Sequence, residues 1–122
     1  MLRPNIDARG ASARRTMGAA ALLLGAALAG WLLQRSATPW AMLLLLPVFT
    51  AAGLGFFQAR RRTCVHYAAR GVCDLGSGVQ PVTDPEALEA MRRQAKRVWR
   101  DALVFAALVT LALLIAAFAA GA

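Results

Sequence analysis

The residues in this chain best suited to chemistry lie in one short stretch: Cys64, His66, Cys73 and Asp74. Cys64 and Cys73 are the only cysteines, and His66 is the only histidine. Zinc sites use closer C-x₂₋₄-C pairs and four ligands, so three donors per chain would make a metal site only if two copies shared it. No C-x-x-C-H haem attachment sequence is present, and a reducing cytoplasm disfavours a disulfide. The sharper chemistry is a reactive thiol. Cys64 directly follows Arg60, Arg61, Arg62 and Thr63, and neighbouring positive charge favours the nucleophilic thiolate. The plainer reading is a small residue packed at a membrane boundary. There is no nucleophile elbow, P-loop or carboxylate pair. The sequence therefore assigns no catalytic, cofactor-binding or metal-binding residue, and a non-enzymatic protein is expected.

The elements that must position these residues are apolar. Three runs, Thr16–Leu33, Trp40–Ala59 and Ala102–Ala120, contain no charged side chain. A helix needs about 20 such residues to cross a ~30 Å hydrocarbon core. With 122 residues, 59% of them hydrophobic, no separate soluble core is expected. The fold class is an all-α membrane protein with three transmembrane helices. Its parts are a basic tail over 1–15, a helical hairpin over 16–59, a loop over 60–84, and an amphipathic helix running into the third span over 85–122.

Charge sets the expected orientation. Arg3, Arg9, Arg14 and Arg15 precede the first span, and Arg35 alone lies between the first two. Arg60, Arg61, Arg62, Arg70, Arg92, Arg93, Lys96, Arg97 and Arg100 lie between the second and third. Lys and Arg collect on the cytoplasmic side, which predicts a cytoplasmic N-terminus and an outward C-terminus. Trp31 and Trp40 would then anchor at the outer interface and Trp99 at the inner one. A net charge of +8 would suggest nucleic acid in a soluble protein. Beside spans it points instead to anionic lipid headgroups. Arg14-Arg15 and the run ending Ala27-Leu28-Ala29 also resemble a secretory signal. The Trp-flanked turn from Gln34 to Pro39 favours a retained hairpin.

Within the spans, Gly25/Ala29, Ala26/Gly30, Ala51/Gly55 and Ala112/Ala116/Ala120 have small-xxx-small spacing, which lets helices approach closely in lipid. They serve either packing within the chain or assembly. Pro47 predicts a bend in span two. No ionisable residue lies inside a span, which argues against a proton-coupled transporter. Thr50 and Thr110 are expected to bond their own helix carbonyls.

In the second loop, Gly71 to Val82 reads as a turn or short irregular hairpin. Thr83 and Glu86 have capping-box spacing, and Asp84 before Pro85 is the alternative helix start. Leu88, Met91, Ala95, Val98, Trp99 and Ala102 share one arc of the helix that follows. The basic residues Arg92, Arg93, Lys96, Arg97 and Arg100 flank it, available to lipid or to an acidic partner. Glu89 can pair with Arg93. This helix either lies on the membrane surface or continues straight into span three. The lack of Gly or Pro between Glu86 and Leu111 favours continuity.

Asn5, Arg14, Gly18 and Arg62-Thr63-Cys64 resemble a family of small bacterial inner-membrane proteins, one that includes the membrane portion of the YgaP-type rhodanese sulfurtransferases. Gly10-Ala11 stands where that family has an acidic-Arg pair. The resemblance covers about residues 5–64 and implies a bacterial inner-membrane location and a link to sulfur or thiol handling. No rhodanese domain is present, so sulfurtransferase activity does not carry over. Three functions follow as expectations: an accessory or self-assembling membrane subunit, a thiol-bearing component acting through Cys64, or an oligomeric small-solute carrier or channel.

Overall fold

The computed structural model describes residues 4–35 and 38–121. Arg3 of the basic N-terminal set and the middle of the expected Gln34–Pro39 turn lie outside them. Three helices are long and apolar enough to cross a membrane: Ala8–Gln34, Pro39–Arg61 and Pro85–Ala120. The molecule is mostly helical, as its hydropathy pattern predicts.

Helix α1 (Ala8–Gln34) begins eight residues before the apolar run, where a basic tail was expected. The cause is local. Asp7 caps the helix, its carboxylate accepting from the Gly10 N–H at 2.9 Å. Ile6 packs in the same buried cluster as Ala11, the arrangement of a hydrophobic staple. The buried positions of α1 are Ala11, Gly18, Gly25 and Ala29, all but the first in the apolar run.

Span two starts as a 3₁₀ segment, Pro39–Leu45, and becomes α2 (Leu46–Arg61) next to Pro47. Proline has no N–H and crowds the carbonyl four residues back. Here the Leu43 carbonyl is taken by the Leu46 N–H instead. Where a bend was expected at Pro47, the chain shows a change of helix type.

The helices approach closely where glycine allows it. A Cβ on Gly55 would lie 2.6 Å from the Arg14 carbonyl oxygen and from Gly18 Cα, and one on Gly53 would lie 3.0 Å from Ala102 Cα. Gly25 faces the Phe49 ring. The Gly25/Ala29 pair is thus spent inside the chain, whereas Ala26, Ala51, Ala112, Ala116 and Ala120 are exposed and nothing lies near Gly30.

A short helix α3 (Val65–Arg70) and an antiparallel hairpin, β1 (Val72–Asp74) with β2 (Val79–Pro81), fill the second loop. The hairpin matches the turn expected over 71–82; α3, a turn and a half ended by left-handed Gly71, is too short to show helical periodicity. Helix α4 (Pro85–Gly121) is continuous for 37 residues. At 1.5 Å per residue it is roughly 55 Å long, well beyond the ~30 Å core. Asp84 supplies its start, accepting from the Glu86 N–H at 3.2 Å. Met91 and Ala95 pack with Ala68, Val65, Val82 and Leu88, and Val98 and Ala102 are fully buried. The apolar arc is therefore covered by the chain's own α2 and α3, with Val82 beside them. Trp99, expected on that arc, is 44% exposed.

Thr50 donates to its own Leu46 carbonyl at 2.8 Å. Thr110 departs from expectation: its hydroxyl oxygen is buried without a hydrogen-bond partner, on a face where α4 buries Ala102, Ala106 and Ala117.

Candidate functional site

The polar residues converge at one end of the bundle, where α1 starts, α2 ends and α4 leaves the apolar layer. Arg62 closes α2 in the left-handed region, φ 49°, which turns the chain sharply and aims its carbonyl at the N-terminal segment. That carbonyl accepts from the Asn5 N–H at 2.9 Å and from the Ile6 N–H at 3.4 Å.

Asn5, fully buried, then clamps the next turn. Its Nδ2 donates to the Cys64 carbonyl at 3.0 Å, and its Oδ1 accepts from the Cys64 N–H at 2.6 Å. Its own carbonyl accepts from the Asp74 N–H at 2.8 Å, and Ile6 forms a parallel bridge to Asp74. One asparagine thus ties the N-terminal segment to the end of α2 and to the hairpin. A primary amide suits this because it carries a donor and an acceptor side by side, matching the backbone amide it grips.

A second layer joins α4. Thr63 is buried, donates to the Arg61 carbonyl at 2.9 Å and accepts from Gln94 Nε2 at 3.0 Å. Gln58 Oε1 accepts from the Val65 N–H at 3.0 Å. Arg61 reaches Asp101 at 3.1 Å, and Arg100 holds the other Asp101 oxygen at 3.0 Å. Asp101 sits on the water side of the third apolar run. Its partial burial favours the neutral acid, but the two guanidinium groups outweigh this and hold its carboxyl below the ordinary range.

The thiol residues can now be placed. Cys64 is 5% exposed and packs with Ile6, Ala11, Ala59 and Tyr67. Cys73 is half-buried on β1, opposite Gln80. His66 is exposed. Among the described residues no group of three His, Cys, Asp or Glu side chains could hold a metal ion. Of the arginines before Cys64, Arg60 and Arg62 are exposed and Arg61 is committed to Asp101. A thiol enclosed by apolar side chains is placed for packing, since attack requires access. In the folded protein Cys73 is expected to react with a maleimide about tenfold faster than Cys64, read as adducts by peptide mass spectrometry. Faster modification of Cys64 would restore the reactive-thiol reading.

The basic residues Arg92, Arg93, Lys96, Arg97 and Arg100 are all exposed along one side of α4, with Arg93 meeting Glu89 at 3.3 Å. Trp31 and Trp40 are exposed at the opposite end, where Arg35 stacks on Trp31 and Trp40 meets Phe118 edge-on at 5.5 Å. The proposed anchors and the basic cluster are thus separated to the two ends of the bundle, with Trp99 at the basic end.

Sequence reasoning gave no role to Gln58, Gln94 or Asp7. Gln94 lies between Arg93 and Ala95 in a basic stretch, and only its burial distinguishes it. The Asp7 cap had a signal: an apolar residue, then Asp, before a helix. At the membrane-ward edge of the junction, Arg14 donates to the Gly10 carbonyl at 3.2 Å, and its guanidinium carbon lies 5.9 Å from the Tyr67 ring centre. Asn5, Arg14, Gly18, Thr63 and Cys64, the residues behind the family resemblance, each have a packing or hydrogen-bonding role here. No family model matches the chain, and neither a curated protein nor a solved structure gives a significant match.

Proposed function

We propose that this chain is a non-enzymatic, multi-pass protein of a bacterial inner membrane. It acts by assembling, with itself or as an accessory subunit, and presents a basic platform to the cytoplasm. The observation that carries this is the asymmetry of the bundle. Arg9, Arg14 and Arg15, then Arg60 to Arg62, then the α4 cluster gather at one end, while Arg35 alone marks the other. Under the positive-inside rule that end is cytoplasmic, which places both chain termini on opposite sides.

Assembly is supported by what the bundle leaves uncovered. The α4 cytoplasmic half covers its apolar arc within the chain, so that region needs no partner for stability. In the apolar layer, Ala112, Ala116 and Ala120 form an exposed small-residue row, a surface suited to close helix contact in lipid.

Two measurements test the reading. Ser77 lies at the exposed hairpin tip. With native cysteines replaced, Ser77→Cys is expected to resist an impermeant thiol reagent in intact cells and to react in inverted vesicles. Labelling in intact cells would overturn the orientation. For assembly, Ala116→Cys in native membranes is expected to give a disulfide-linked dimer or a crosslink to a co-purifying subunit, and Ala106→Cys, fully buried, to give neither. Absence of any Ala116→Cys crosslink, together with purification as a lone monomer, would sink the assembly proposal.

A further inference from the structure

Helices α1 and α2 touch backbone to backbone at Gly18 and Gly55. Beside that contact their outer faces do not close. A groove of about 270 Å³ remains, walled by Met17 and Ala21 of α1 and by Ala51 and Leu54 of α2, with Gly55 as its floor. All five residues belong to the two apolar runs, so the groove opens at hydrocarbon depth. Its polar end is made by Arg14 and Gln58. Arg14 also lines a second, larger cleft of about 640 Å³, together with Asp7, Arg9, Tyr67 and Asp74. One arginine therefore stands between an apolar slot in the lipid layer and a polar cleft at the headgroup level.

This pairing matches one kind of molecule. An apolar slot reached from the hydrocarbon region fills with a hydrocarbon chain, because water there would lose its hydrogen bonds. Arg14 is partly exposed and gives one N–H to the Gly10 carbonyl, while a guanidinium carries five donors in a fork suited to phosphate. Arg9 adds positive charge about one and a half turns nearer the N-terminus. Small side chains at Ala21 and Ala51 keep the slot open; leucine at either would fill it.

We propose that the α1–α2 face holds one phospholipid, with an acyl chain in the groove between Ala21 and Ala51 and the phosphodiester on Arg14. The site rests on the helices spanning a bilayer, but not on which side faces the cytoplasm, which the hairpin labelling above reads separately.

The test uses the full chain in nanodiscs of phosphatidylglycerol mixed with a phosphate-free diacyl glycolipid of the same chain length, followed by native mass spectrometry. The wild-type protein is expected to keep one phospholipid under activation that strips the rest, and no glycolipid. Ala21→Leu and Ala51→Leu are expected to lower the retained fraction about tenfold, as is Arg14→Gln. Arg15→Gln, exposed and outside both cavities, is expected to leave it unchanged. Ala51 faces outward, so its leucine variant disturbs no internal packing, and an unchanged helical circular-dichroism spectrum would verify this. Equal retention of the glycolipid, retention unaffected by both leucine variants, or equal loss in Arg15→Gln would each overturn the site.

Discussion

Gly55→Ala is expected to destabilise the α1–α2 hairpin by about 3 kcal/mol, the upper end of the usual range for overpacking. The added methyl would sit 2.6 Å from the Arg14 carbonyl oxygen, Gly18 N and Gly18 Cα. These are backbone atoms and cannot rotate away, so the helices must separate along their length. The same substitution at two other glycines makes a graded series. At Gly25 the methyl meets the Phe49 ring at 2.7 Å, and a side chain can shift, so a loss of about 1 kcal/mol is expected. At Gly30 it meets nothing within 4 Å, and Ala is intrinsically the better helix former by roughly 0.5–1 kcal/mol, so stability should hold or rise. Thermal unfolding in mild detergent, followed by circular dichroism, checks the order. Equal losses at all three positions would show that helix contact is not set by these glycines.

Asn5→Ala is expected to be nearly as damaging, by about 2–4 kcal/mol. It removes both side-chain hydrogen bonds to Cys64 and leaves the buried Cys64 N–H without a partner, at about 1–3 kcal/mol, while the Cys64 carbonyl keeps the Ala68 N–H and loses one bond worth about 1 kcal/mol. Asn5→Asp separates this from simple loss of volume. The aspartate can still accept from the Cys64 N–H but sets a carboxylate oxygen against the Cys64 carbonyl, so it should be at least as unstable as the alanine variant. Both changes should also expose Cys64, raising its alkylation rate towards that of Cys73. If Asn5→Ala keeps wild-type melting and slow Cys64 alkylation, the side-chain clamp has no energetic role and the N-terminal segment is held by its backbone bonds to Arg62 and Asp74 and by the packing of Ile6 and Ala11.

Taken together, these effects describe a bundle secured at two levels. In the apolar layer, glycine permits close packing in which dispersion acts between well-fitted surfaces. At the basic end, water competes for every polar group, and the amides of buried Asn5 and Gln94 and of half-buried Gln58 tie the N-terminal segment, the end of α2 and α4 together. At this end Arg61 and Arg100 hold Asp101, Arg92 reaches the Ala68 carbonyl and Arg93 meets Glu89, while Arg14 bonds the Gly10 carbonyl.

The sequence by itself determined the membrane class, the three apolar helices, the continuity of α4 and the sorting of charge. These follow from composition over 18 or more residues, and length and hydropathy are properties a chain carries before it folds. It also marked the start of α4, with Asp84–Pro85 as the alternative to a Thr83 capping box, and the glycine-rich hairpin, because capping and turns depend on neighbours a few residues apart. Only the tertiary structure decided that Gly18 faces Gly55, that Gly25/Ala29 packs inward while Ala26 faces outward, and that Asn5 grips Cys64 across 59 residues of chain. It also decided that Cys64 is buried among Ile6, Ala11, Ala59 and Tyr67, and that the apolar arc of α4 is covered from within. Each of these depends on which helix faces meet, and helical periodicity leaves the rotation and partner of each face open. A lone asparagine near an N-terminus has no local pattern to mark it. Its role exists only once the left-handed turn at Arg62 brings the Cys64 amide to it.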